Sequence, residues 1–133
     1  MPKPENCRFT KTHEWVSLEA GTAVVGVTDH AQREITDIVF VEPPKPGRQV
    51  KAGEACCVVE SVKAAFDIYA PIAGEVMAAN EALAKDAAVV NRSPQDEGWL
   101  FKLKPANPGE VNKLMDWDAY QAFLQTADAH AGH

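Results

Sequence analysis

The stretch VVESVKAAFDIYAPIAGEV, Val58 to Val76, holds strand-forming residues on both sides of Ser61-Val62-Lys63. CCVVE before the break and AAFDIY after it are apolar and rich in β-branched or aromatic side chains, so they read as two strands. The SVK between them reads as the turn of a hairpin with an exposed tip. A lysine in such a turn is ordinarily just a solvated charge. What surrounds Lys63 gives it a different meaning.

Outward from the hairpin, the chain continues in the same short apolar segments. GEVMAA and GWLFKLK follow it, punctuated by glycine, proline and polar residues at the spacing of a sandwich or barrel. On the other side, HEWVSLE and TAVVGV are separated by Ala20-Gly21 and predict another hairpin. TDHAQREI predicts a short helix with Asp29 as N-cap and Gln32 closing a capping box. TDIVFVE returns to strand and is stopped by PPKPG, where successive prolines remove backbone donors. Near the C-terminus, Asn107 caps a predicted helix with Pro108 at its first position and Glu110 closing a capping box. DWDAYQAFL then puts Trp117, Tyr120, Phe123 and Leu124 on one helical face, so a helical pair is expected to pack on the sheet.

The predicted fold is mainly β, in one domain over residues 1–126, with 127–133 as a flexible tail. A chain of 133 residues with 46% hydrophobic and 24% charged side chains fits one modest core. The net charge of −6 and pI near 5.1 exclude a nucleic-acid backbone or an anionic membrane as the natural partner, since both repel an acidic surface. No signal-peptide core and no bilayer-length apolar run is present, and a cytoplasmic protein is expected. Cys7, Cys56 and Cys57 lack metal-ligand spacing and are expected as reduced thiols. HAGH at the C-terminus, with His130 and His133, matches no dedicated zinc pattern.

ESVKAA followed by P and GEV resembles the lipoyl-attachment motif of the glycine cleavage H-protein family. THEWV, GVTDHAQ, DIVFVE, VKAGE, DIYAPIAGEV, NEAL, VVN, GWLFKLKP and AYQAFL also stand in the family's order and spacing, covering nearly the whole chain. The resemblance implies a flattened β-barrel-sandwich hybrid with small peripheral and C-terminal helices. It implies lipoic acid in amide linkage to Lys63, attached by a lipoate ligase or lipoyl transferase. It further implies a non-catalytic carrier: a glycine decarboxylase loads aminomethyl onto the arm, an aminomethyltransferase unloads it, and dihydrolipoamide dehydrogenase reoxidises it. By position, Glu14 and Asp67 match family residues that shelter the loaded arm, where a carboxylate stabilises a cationic cargo. The alternative for each is an ordinary surface charge.

Several positions depart from the family pattern. Phe66 replaces a small hydroxyl residue between Lys63 and Asp67, which is expected to make the root of the arm more apolar and to narrow its groove. Thr36 replaces a common glycine, so the local backbone is expected to avoid a glycine-only conformation. Strand alternation sends Cys56 and Cys57 to opposite faces, one core and one accessible, which leaves a redox role near the arm open. These departures keep open a second carrier reading, an H-like lipoate-binding protein passing sulfur intermediates to a heterodisulfide-reductase-like complex. A different class remains as well, a thiol enzyme with Cys57 as nucleophile and a histidine as base, although His13, His30, His130 and His133 form no recognisable catalytic cluster with it. Biotin attachment fits poorly, because Val62 and Ala64 flank Lys63 where biotin carriers favour methionine.

Overall fold

The computed structural model describes residues 3–126. In chain order the strands are β1 (Arg8–Phe9), β2 (Glu14–Glu19), β3 (Thr22–Val27), β4 (Ile38–Glu42), β5 (Gln49–Val50), β6 (Ala55–Ser61), β7 (Ala65–Tyr69), β8 (Gly74–Ala79) and β9 (Phe101–Pro105). The helices are α1 (Asp29–Ile35), α2 (Ala82–Lys85), α3 (Val89–Arg92) and α4 (Trp117–Phe123), with 3₁₀ turns at Pro4–Asn6 and Pro108–Lys113. A six-stranded sheet runs β1-β2-β3-β9-β8-β5, and a three-stranded sheet runs β4-β6-β7. Neighbouring strands are antiparallel throughout both sheets.

The two sheets share one core. Val16, Val25, Phe101 and Leu103 from the larger sheet meet Val41, Val59 and Ile68 from the smaller, all buried. Each such side chain contributes about 1.5–3 kcal/mol relative to exposure. The predicted β2–β3 hairpin turns at Ala20 and Gly21, both with positive φ, which matches the twist of the flanking strands. Trp15 lies opposite Gly26, where an added Cβ would come within 2.7 Å of the indole, so only glycine leaves room for that ring.

A second cluster carries the C-terminal helix. Phe9 stacks on Tyr120 at 4.6 Å between ring centroids, and Trp117, Phe123 and Leu124 pack around the pair, as the predicted apolar face requires. Asp116 caps α4 by accepting from the Ala119 amide at 2.9 Å.

Local details differ from the sequence expectations. Thr28, not Asp29, caps α1, its hydroxyl accepting from Ala31 N at 3.1 Å, while Asp29 pairs with Arg33 and Gln32 on the exposed surface. Asn107 does cap its segment, accepting from Gly109 N at 3.1 Å, but the segment is 3₁₀. Glu110 turns to the Ala73 amide at 3.0 Å, so no capping box closes. Thr36 does not avoid the glycine-type region: its φ of 71° and ψ of −149° lie there. Such a backbone costs of order 1–3 kcal/mol and persists where surrounding bonds impose it. Here Thr36 N donates to Gln32 O at 3.0 Å and its carbonyl accepts from Asn91 Nδ2 at 2.9 Å. Strands β1 and β5 and helices α2 and α3 are too short to show a periodicity in the sequence.

Candidate functional site

The β6–β7 hairpin forms as expected, with Glu60 opposite Ala65 and Val59 opposite Phe66. Ser61 fixes its tip. The Ser61 amide donates to Ala64 O at 2.8 Å, and the Ser61 hydroxyl accepts from Lys63 N and Ala64 N, both at 3.2 Å. The backbone of Lys63 is thereby held while its side chain projects into solvent. Serine hydroxyls stabilise turns in this way because they offer nearby amides an acceptor that the short loop lacks.

The tip is also tied sideways. Val62 N donates to Asp37 O at 3.2 Å, just before β4. Asn91, on α3, holds that same segment at both ends. Its Oδ1 accepts from Ile38 N at 2.9 Å, and its Nδ2 donates to Thr36 O at 2.9 Å and Gln32 Oε1 at 3.0 Å. A path of hydrogen bonds therefore runs from α1 and α3 through Asp37 to the turn that carries Lys63. Sequence reading passed over Asn91, whose only local signal was the motif VVN.

Asp67 and Phe66 project from opposite faces of β7. Asp67 lies across from Val58 and, one strand further, Glu42; Phe66 lies across from Val59 and Val41, which face the core. The Phe66 ring is half-buried and packs against that core. Its size therefore does not narrow the access to Asp67, because neighbouring strand residues alternate faces. On the outer side, Asp67, Glu42, Val58, Lys45, Arg48 and Cys56 line an open groove of about 470 Å³. Asp67 is exposed there.

Glu14 is placed differently. It is 0% exposed, which rules out an ordinary surface charge. Its Oε1 accepts from the hydroxyls of Thr10 and Thr12, and its Oε2 accepts from Tyr69 N at 3.2 Å at the root of the hairpin. Burial pushes its pKa up, against the lowering effect of these donors. Of the two sheltering candidates, only Asp67 meets solvent and the groove in this conformation.

Cys56 and Cys57 are both buried, at 6% and 3% exposure, instead of one being accessible. The ladder shifts between Ala55 and Cys57, and this irregularity breaks simple alternation. Burial pushes the Cys56 thiol up to about 11 and the Cys57 thiol higher still, so both stay protonated at neutral pH. The thiol-enzyme reading loses its nucleophile. His13 bonds Tyr120 Oη through Nδ1 at 2.8 Å, and His30 pairs with Glu34 at 2.6 Å. Among the described residues no group of three or more His, Cys, Asp or Glu side chains could hold a metal. His130, His133 and the expected tail at 127–133 lie outside those residues.

A family model described as Glycine cleavage H-protein matches residues 7–127. The Glycine cleavage system H protein of Halorhodospira halophila is 54% identical over 122 residues, covering 91% of this chain and 94% of that protein. The protein of the same name from Phenylobacterium zucineum is 55% identical over 117 residues, covering 88% and 97%. The crystal structure of a glycine cleavage system H protein from Mycobacterium marinum superposes with a TM-score of 0.79 at 32% identity, covering 92% of this chain and 96% of that one.

Proposed function

This chain belongs to the glycine cleavage H-protein family, and from that premise we propose that residues 1–126 form a lipoyl-carrier domain with lipoic acid in amide linkage to Lys63. The observation that supports it is the Ser61-locked turn, which presents an exposed lysine amine on a fixed backbone. An attaching enzyme needs both features, since the amine must be reachable and its root must not wander. A lipoate ligase or lipoyl transferase would make the bond.

When bound, the lipoyl group supplies a dithiol–disulfide couple that takes up and gives up an aminomethyl group. The chain's own residues would root the arm at Lys63 and offer Asp67, exposed in the outer groove, to a cationic cargo. Glu14 acts from behind, holding the hairpin root through Tyr69 N. Glycine decarboxylase, aminomethyltransferase and dihydrolipoamide dehydrogenase are the partners, and the protein works in the cytoplasm beside them. No helix among the described residues is long and apolar enough to cross a membrane.

The carrier has no turnover of its own in this reading, since burial holds the Cys56 and Cys57 thiols protonated at neutral pH. Lipoylated protein is therefore expected to be inert toward glycine, folate and thiols until the partner enzymes are added. Turnover by the isolated chain that disappears in Cys57→Ser and survives Lys63→Arg would establish a thiol enzyme instead. The sulfur-carrier alternative rested chiefly on Phe66, and the ring's inward placement removes that support.

A further inference from the structure

The C-terminal helix carries one hydroxyl that packing alone does not explain. Stacking on Phe9 and contact with Trp117 need only the ring of Tyr120, and a phenylalanine would supply it. The hydroxyl is buried instead at 2.8 Å from His13 Nδ1 and 2.8 Å from Thr28 Oγ1. A buried phenol is kept where its oxygen finds partners. Burial also pushes its pKa up to about 12, so it holds the proton that one of the two bonds needs.

Both partners of that hydroxyl lie on segments that lead to the lysine hairpin. His13 closes the turn over residues 10–13, between β1 and β2, its amide donating to Thr10 O at 3.2 Å. Its φ of 71° is a positive value that a non-glycine residue keeps where neighbours impose it. The next residue is Glu14, whose amide donates to Thr10 Oγ1 at 3.0 Å and whose carboxyl oxygens accept from Thr10, Thr12 and Tyr69 N. Glu14 stands on the six-stranded sheet and Tyr69 on the edge strand of the other, so this bond ties the hairpin's root across the two sheets. Thr28, the second partner, caps α1, and the far end of α1 reaches the hairpin's tip through Asn91 and Asp37.

Resting on the carrier reading, we infer that Tyr120 is a positioning residue for the lipoyl arm: through His13 it fixes the turn that sets Glu14 against Tyr69, and with it the root of the Lys63 hairpin. Met115 prepares this contact. It exchanges both backbone bonds with Phe9, at 2.8 and 3.1 Å, so the chain is seated beside β1 where it enters α4. Loss of the hydroxyl leaves the stacked ring in place and takes from His13 and Thr28 the partner they share. The arm then keeps its chemistry and loses the fixed base from which it reaches an active site, an effect on KM more than on kcat.

Amide hydrogen exchange on the unmodified full-length chain tests the positioning claim without any lipoyl group. In Tyr120→Phe the rise in exchange at the Tyr69 amide should exceed the rise at the β3 amides about tenfold, on the scale of one buried hydrogen bond. Leu124→Ala, which trims the same helix and keeps the hydroxyl, should raise both alike. His13→Asn should keep Tyr69 protected, because asparagine offers Oδ1 to the hydroxyl and tolerates a positive φ, whereas His13→Ala should behave as Tyr120→Phe does. At matched lipoylation, Tyr120→Phe should raise the KM for aminomethyl loading by glycine decarboxylase several-fold and leave kcat within about twofold of wild type. A rise at Tyr69 within about twofold of that at the β3 amides would overturn the proposal, since the hydroxyl would then serve stability alone. So would a loosened Tyr69 amide with loading unchanged. If Lys63 proves unmodified, the exchange result still decides whether Tyr120 positions Glu14, and only the service to the arm falls with the carrier reading.

Discussion

The tip and the root of the β6–β7 hairpin each hold an ionisable side chain, and the two are treated in opposite ways. At the tip the backbone is pinned by Ser61 and the lysine side chain is left in solvent. At the root the Glu14 side chain itself is pinned, 0% exposed, and its oxygens serve Thr10, Thr12 and Tyr69. A group meant for covalent attachment must stay reachable, while a group meant to hold a strand must lose its freedom. The proposed reading gives chemistry to Lys63 and architecture to Glu14, and substitutions can test that division.

The largest stability loss is expected at the root. Glu14→Ala would remove the acceptor of the Tyr69 amide and of two threonine hydroxyls, and a buried donor left unmade costs about 1–3 kcal/mol. Urea unfolding should therefore show a loss of about 3 kcal/mol or more for the site as a whole. Lys63→Ala, at the exposed tip, should shift stability by less than about 0.5 kcal/mol. A Glu14→Ala variant as stable as wild type would break the comparison.

The same carboxyl carries a pH signature. Its folded pKa lies above the unfolded value of about 4.3, so the folded state holds the extra proton between the two. Its contribution to stability is complete below the unfolded pKa and is lost as pH rises through the folded one. The difference in unfolding free energy between wild type and Glu14→Gln should accordingly fall with rising pH across that window and level off above it. Taking the difference matters, because Glu54 and Asp86 have lowered pKa values and push the other way. A flat difference curve would show that the carboxyl is not desolvated.

A smaller effect is expected at Asn91, which holds Thr36 and Ile38 and through Asp37 the turn itself. Asn91→Ala should cost about 1–2 kcal/mol, since Ile38 N and Thr36 O each lose a partner. It should also slow lipoate attachment to Lys63, mainly in KM, because the amine keeps its chemistry and loses its fixed root. The last expected effect is a gain. Thr36→Gly should stabilise the fold by about 1 kcal/mol, relieving a φ of 71° that threonine rarely adopts.

What the sequence made legible follows from how local each feature is. The hairpin around Lys63, the Ala20-Gly21 turn and the apolar face of α4 depend on residues a few positions apart, and all three formed as read. Glu14 does not share that property. It bonds Tyr69, far along the chain, so the sequence offered only an arm-sheltering carboxylate or a surface charge and not a buried anchor. Asn91 likewise acts across 53 residues to Ile38. The cysteine pair failed for another reason: alternation is a rule for regular strands, and the ladder shifts between Ala55 and Cys57. Thr36 shows that a substituted glycine site can keep its strained backbone when side chains such as Asn91 enforce it.

The central claim is that Lys63 is the lipoyl attachment point, and peptide-resolved mass spectrometry tests it most directly. Expression with lipoate and a lipoate ligase should give one lipoyl addition per chain, located on the peptide containing Lys63. Lys63→Arg should carry none, because arginine keeps the charge but cannot form the amide under these conditions. A lipoyl group on another lysine, or one that persists unchanged in Lys63→Arg, would contradict the account.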